Sequence, residues 1–176
     1  MRSCPIGVYP DEWHVVELAR KQASLTHNAS HGQVSSATIA LACHYFLYGL
    51  GPKKDLVHYL NNHSYTAGLF DNDDDLWPLG QRVSSEAFPC VKSAISAVVR
   101  NDSMAECLKE CIDYTGDVDS IAAMAMGIAS CAELVNDLPK NLYNGLENGE
   151  YGLSYLRELD QKLLKHVKSY HELCRT

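Results

Sequence analysis

The run Thr115-Gly116-Asp117-Val118-Asp119-Ser120-Ile121-Ala122-Ala123-Met124-Ala125-Met126-Gly127-Ile128-Ala129-Ser130-Cys131-Ala132-Glu133-Leu134 combines a polar turn with a nearly uncharged tail. Its apolar part, Ser120 to Leu134, reads as a helix, and one so poor in charge is expected to be buried on most sides. Thr115 to Asp119 reads as the turn that leads into it.

Working outward, the same helical period recurs. Residues 11–26 carry Trp13, Val15, Val16, Leu18, Ala19, Ala23 and Leu25 as a broad apolar stripe, with Asp11 placed to cap its start. A second helix is expected over 33–48, stopped by Gly49, Gly51 and Pro52, and a short one over 53–61. Residues 62–83 break the pattern with Gly68, the acidic run Asp71 to Asp75, Pro78 and Gly80, which predicts a long loop. Helical order resumes from Ser85 to Arg100. Ser103 followed by Glu106 fits a capping box for a helix to about Tyr114. Pro139 suits the first turn of a short helix ending near Gly145. A last helix is expected over 150–173, with Leu153, Leu156, Leu159, Leu163, Val167 and Tyr170 as its stripe. No segment alternates with period two. The expected fold is all-α: one orthogonally packed helical domain over residues 1–176.

Composition narrows the function classes. With 176 residues, 46% of them apolar and 21% charged, the chain can build a core. A net charge of −7 speaks against a nucleic-acid backbone or an anionic membrane as partner. No apolar run suits a membrane span, and the N-terminus lacks the apolar core of a signal peptide, so a cytoplasmic location is expected. The seven cysteines include no Cys-x-x-Cys pair and read as small buried hydrophobes.

The chemistry concentrates at the turn. Asp117 and Asp119, two apart at a helix start, are followed directly by the Ser120 hydroxyl. Three hard oxygen donors at one spot suit Mg²⁺, Mn²⁺ or Ca²⁺, and the helix N-terminus favours an anion beside them. On spacing alone, a plain helix cap explains the same residues.

The surroundings carry more. Gly116-Asp117-Val118-Asp119-Ser120 with its Ala-rich helix resembles the Gly-Asp-x-Asp-Thr signature of the ADP-ribosylglycohydrolase family, which includes the dinitrogenase reductase-activating glycohydrolase. Leu138-Pro139 falls where that family has an apolar-Pro pair. Met1-Arg2-Ser3-Cys4-Pro5-Ile6-Gly7 is similar to its Ala-Met-Arg-x-x-Pro-x-Gly segment, and Ser24-Leu25-Thr26-His27 to its Leu-Thr-His motif. The resemblance implies two divalent ions, Mg²⁺ or Mn²⁺, with Asp117, Asp119 and Ser120 as ligands. It implies His27 and Gly116 at the substrate, and as substrate an ADP-ribosylated protein or a related ADP-ribose conjugate. It assigns no catalytic acid or base in this sequence.

The chain departs from the family pattern in three ways. The family's upstream Thr-Asp-Asp ligands and Gly-Asn-Gly loop would fall before Met1, so a truncated domain holding its C-terminal half is expected. Thr115 replaces a glycine ahead of Gly116. Met126, Ser130 and Leu134 stand where relatives carry glycines. Three readings stay open: a metal-dependent glycohydrolase needing a complementing N-terminal segment or dimer mate, a catalytically inactive remnant or ADP-ribose- or protein-binding module, and a plain helical interaction domain. Apolar surface left uncovered would favour a homo-oligomer. Asp71, Asp73, Asp74 and Asp75 are weighed as replacement ligands, and a solvated acidic loop is preferred. The pairs His27 with His31 and His58 with His63 are weighed as metal sites and set aside.

Overall fold

The computed structural model describes residues 1–132 and 134–173, with backbone alone at 164 and 166–173. Among these residues the regular structure is helical, joined only by two isolated bridges, Val83 to Gly116 and Ser103 to Val135. The all-α expectation holds. The chain divides into two compact units, Met1–Asp137 and Leu138–Thr176.

The first unit holds six α-helices: α1 (Glu12–Ser24), α2 (Ser30–Leu47), α3 (Leu56–Asn62), α4 (Ala87–Arg100), α5 (Met104–Asp113) and α6 (Val118–Cys131). Short 3-10 turns cover Cys4–Val8 and Lys53–Asp55. Local chemistry sets several of these starts. Asp11 accepts the His14 amide at 2.9 Å to open α1, and Ser103 accepts the Glu106 amide at 3.2 Å to open α5.

α2 is the centre of this unit. It packs against α1, α3, α4, α6 and the first 3-10 turn, and Ala37 through Tyr45 are buried without a break. Its alanines let neighbours approach closely, while Ile39 and Leu41 fill the gaps, each worth about 1.5–3 kcal/mol when fully buried. Enclosure on most sides, expected for the helix at 120–134, belongs instead to α2. α6 buries the stripe Ile121, Met124, Ala125, Ile128 and Ala129 and leaves Ala123 and Ser130 exposed. Small side chains on its outer flank carry little apolar area, so water there costs little. α2 also begins at Ser30, earlier than expected, because the Gln33 amide closes a first turn onto the Ala29 carbonyl at 3.0 Å.

The N-terminal turn is tied closely to α2. His44 Nδ1 lies 2.9 Å from the Tyr9 carbonyl, and a Cβ on Gly7 would meet the Ala40 carbonyl at 2.7 Å. Only glycine fits that approach.

In the second unit, α7 (Lys140–Asn144) follows Pro139 and ends at Gly145, as expected, and α8 spans Leu153–Leu173. Leu156 and Leu159 of the expected stripe are exposed, with Glu158 and Lys162 paired at 2.7 Å. The side chains of Val167 and Tyr170, and the whole of Cys174, lie outside the described residues. No described helix is long and apolar enough to cross a membrane.

Candidate active site

The turn before α6 is held from two sides. Behind it, Arg100 donates to Glu110 Oε1 at 2.8 Å, to the Tyr114 hydroxyl at 3.0 Å and to the Trp77 carbonyl at 2.6 Å. Tyr114 is fully buried and donates in turn to Glu110; burial and that carboxylate push its hydroxyl up. This network fixes the end of α5 immediately before Thr115. In front, the long loop of residues 63–86 brings in Val83, which is 1% exposed. Val83 N–H donates to the Thr115 carbonyl at 3.3 Å, and the Asp117 amide donates to the Val83 carbonyl at 3.4 Å.

That pairing requires an unusual backbone. Gly116 has φ +85°, and a Cβ there would stand 2.0 Å from the Val83 carbonyl oxygen. Thr115 sits at φ +58°, a left-handed conformation that a β-branched residue adopts only under strain. The double glycine of the family motif is thus explained at both positions, and Thr115 carries the cost of departing from it.

α6 starts two residues earlier than expected, so Asp119 lies in its first turn. Asp117 occupies the N-cap position, yet its side chain makes no capping bond. Asp119 Oδ1 accepts the Ser120 amide at 2.9 Å. The Asp117 carboxyl group nearby and the Ser120 amide hold Asp119 below its ordinary value. Two neighbouring carboxyl groups make a spot of negative charge that favours a cation. The thiol of Cys90 lies 3.7 Å from Asp117 Oδ2; burial, with the negative charge of Asp117, pushes it up to about 12.

Asp117 and Ser120 border a cavity of about 560 Å³ in the first unit, and His27 lines it as well. The start of α2 lines it through Asn28, Ala29, His31 and Gly32, and the start of α4 through Ser85 and Ala87. Three helix N-termini therefore meet at one cavity, and none has a side-chain bond from its N-cap residue. First-turn amides and helix dipoles favour an anion at such a place. Arg2 adds a cation to the lining. It donates to Thr26 Oγ1, which lies 2.8 Å from His27 Nδ1, so two stretches 24 residues apart in sequence act as one wall.

Of the residues singled out from sequence, His27, Asp117 and Ser120 line the cavity. Asp119 stands beside it, and Gly116 shapes the turn under it without lining it. Sequence reasoning missed Ser35. This residue is 7% exposed, lines the cavity, and has a hydroxyl with no hydrogen-bond partner. Nothing in an Ala-rich run marked it. His31, set aside as a metal ligand, packs against Phe88 with ring centroids 4.6 Å apart and planes tilted by 50°, and forms part of the wall. The acidic loop does not line the cavity: Asp73 is bound to His58 and Asn61, and Asp75 to Lys92.

The donor set tests the expected metal. Two carboxyl groups and a hydroxyl are hard oxygen donors and fit Mg²⁺ or Mn²⁺ in kind. In number they make one face of a coordination sphere. No group of three or more His, Cys, Asp or Glu residues placed to hold an ion occurs among the described residues.

Comparison with known families matches residues 1–172 to the ADP-ribosylglycohydrolase model. The chain belongs to the ADP-ribosylglycohydrolase family. No curated protein and no solved structure matches it. Membership in the ADP-ribosylglycohydrolases supports a glycohydrolase type of function in general. Three of the landmarks that carried the resemblance are neighbours in space: Arg2, Thr26-His27 and Asp117 to Ser120 surround the cavity or abut its lining, whereas Leu138-Pro139 does not line it.

Proposed function

We propose that this ADP-ribosylglycohydrolase hydrolyses the bond between ADP-ribose and a protein side chain, or a related ADP-ribose conjugate, with a divalent cation at the turn before α6. The observation that carries the reading is the convergence on one cavity of an acidic pair, a hydroxyl and three uncapped helix N-termini. The N-termini, with Arg2 and His27, suit the anionic diphosphate of ADP-ribose. The acidic side suits the neutral ribose together with a cation.

Asp117, Asp119 and Ser120 would hold Mg²⁺ or Mn²⁺, water completing the shell. A bound ion would supply Lewis acidity and charge stabilisation at the ribose oxygens. Cys90 keeps its proton at neutral pH and donates toward Asp117 or Ser84, which restrains the carboxyl group. Ser35 offers an unused hydroxyl to the ligand.

The test is release of free ADP-ribose from arginine-linked and serine-linked ADP-ribosyl peptides, with Mn²⁺ or a chelator. Metal-dependent release by the wild type, lost in Asp117→Ala/Asp119→Ala, is the expected result. Release that persists in the double variant, or a folded wild type that releases nothing with either metal, would sink the proposal.

A further inference from the structure

The cavity wall that carries His27 contains a row of hydrogen bonds with a fixed direction. Arg2, just ahead of the first 3-10 turn, donates to Thr26 Oγ1, just past the end of α1, and that oxygen lies 2.8 Å from His27 Nδ1. A guanidinium has donors and no acceptor, so the Thr26 oxygen accepts in the first contact. The Thr26 hydroxyl proton then points to His27 Nδ1, the other polar atom this hydroxyl touches. A nitrogen that receives a proton donor carries no proton itself. A proton on Nδ1 would aim two donors at one oxygen and leave the hydroxyl proton without a protein acceptor among the described residues.

The backbone that presents the ring is held from both sides. The amides of Thr26 and His27 donate to the Ala23 carbonyl at 3.1 and 2.7 Å, and the His27 carbonyl accepts the Ala29 amide at 2.8 Å. The first turn of α2 closes on the same residue: a Cβ on Gly32 would stand 2.7 Å from the His27 carbonyl oxygen and 2.9 Å from His27 Cβ. Gln33 donates to the Asn28 side chain at 3.0 Å. With its backbone so fixed, the chemistry of His27 turns on which ring nitrogen bears the proton. In a neutral imidazole one nitrogen donates and the other accepts, and the partner of one sets the role of the other. Nε2 makes no hydrogen bond with the described residues, and His27 lines the cavity.

We infer that Arg2 and Thr26 are positioning residues that hold His27 in the tautomer with its proton on Nε2, so that His27 meets the ligand as a hydrogen-bond donor. The group it suits is an acceptor without protons of its own, such as the oxygens of a diphosphate, beside the Arg2 charge and the first-turn amides of α2. The donor role rests on the substrate reading proposed above; the tautomer does not.

The test is long-range proton–nitrogen NMR of the isotope-labelled full chain at about pH 8.5, well above the ordinary imidazole value, with His27→Gln to assign the His27 signals. The wild type should show one tautomer at His27, with a protonated Nε2 and a bare Nδ1. Thr26→Val and Arg2→Met should each draw the two nitrogen shifts toward one another as the tautomers mix. Thr26→Ser and Arg2→Lys, which keep the donors, should retain the wild-type pattern. Arg2, Thr26 and His27 are exposed, so these variants should fold, and their amide spectra check it. A proton on Nδ1, mixed tautomers in the wild type, or shifts unchanged in Thr26→Val would each overturn the proposal. Mg²⁺ and ADP-ribose, added last, should move Nε2 and its proton more than Nδ1. ADP-ribose that binds without moving Nε2 would overturn the donor role, whereas ADP-ribose that does not bind would contradict the proposed hydrolase, the tautomer being decided by the ring nitrogens either way.

Discussion

Substituting Gly116 by alanine tests how the site turn is built. At φ +85° the new Cβ incurs the left-handed penalty of about 1–2 kcal/mol. It also stands 2.0 Å from the Val83 carbonyl oxygen, which is backbone and cannot rotate aside. Moving Val83 away breaks the bonds at 3.3 and 3.4 Å that join it to Thr115 and Asp117, each worth about 1 kcal/mol net. The expected loss is roughly 3–4 kcal/mol, large for one methyl group on an exposed glycine. Equilibrium urea unfolding followed by tryptophan fluorescence suits the measurement, because Trp77 lies on the loop that delivers Val83 and its amide donates to Ser96 Oγ at 2.8 Å. A loss below about 1 kcal/mol, with metal binding intact, would refute the claim that Val83 and Gly116 together set the position of Asp117.

Thr115→Gly should act in the opposite direction, raising stability by about 1 kcal/mol in the same assay, since it relieves a left-handed β-branched residue; no gain would remove the strain argument. Arg100→Met leaves the mostly buried Glu110 carboxylate without its ion-pair partner and should cost about 3 kcal/mol, with the double variant Arg100→Met/Glu110→Met less damaged than the single; equal damage in both would show that packing, not charge, is lost. Burial pushes His44 below its ordinary value of 6.5, so the unfolded chain binds this proton more readily. The stability it contributes is full above that value and falls as the pH drops below it. Thermal midpoints taken on either side of pH 6.5 should therefore converge between wild type and His44→Gln on acidification, and a constant gap would contradict the assignment.

The legible parts of the sequence were those with local causes. Asp11 and Ser103 named their helix starts through short-range caps, and Pro139 and Gly145 bracketed α7. The break at 62–83 announced a loop, but its purpose was not visible. Val83 is an ordinary valine until the chain brings it 33 residues forward onto Gly116. The composition of 120–134 suggested an enclosed helix because hydropathy counts apolar residues without their area. Enclosure fell to α2, which more elements cross. His27, Asp117 and Ser120 were found through motifs, and the structure brings them to one cavity. Ser35 could not be found that way, since its significance is a hydroxyl left without a partner, which exists only once neighbours are placed.

The most direct test is calorimetric titration of the full chain with Mn²⁺ and then ADP-ribose, beside Asp117→Ala/Asp119→Ala. The account predicts that the wild type binds the ion, that ADP-ribose binds more tightly once it is present, and that the double substitution removes both the ion and its effect on ADP-ribose. ADP-ribose binding that is unchanged by the metal and by the double substitution would contradict a metal-assisted site at the start of α6.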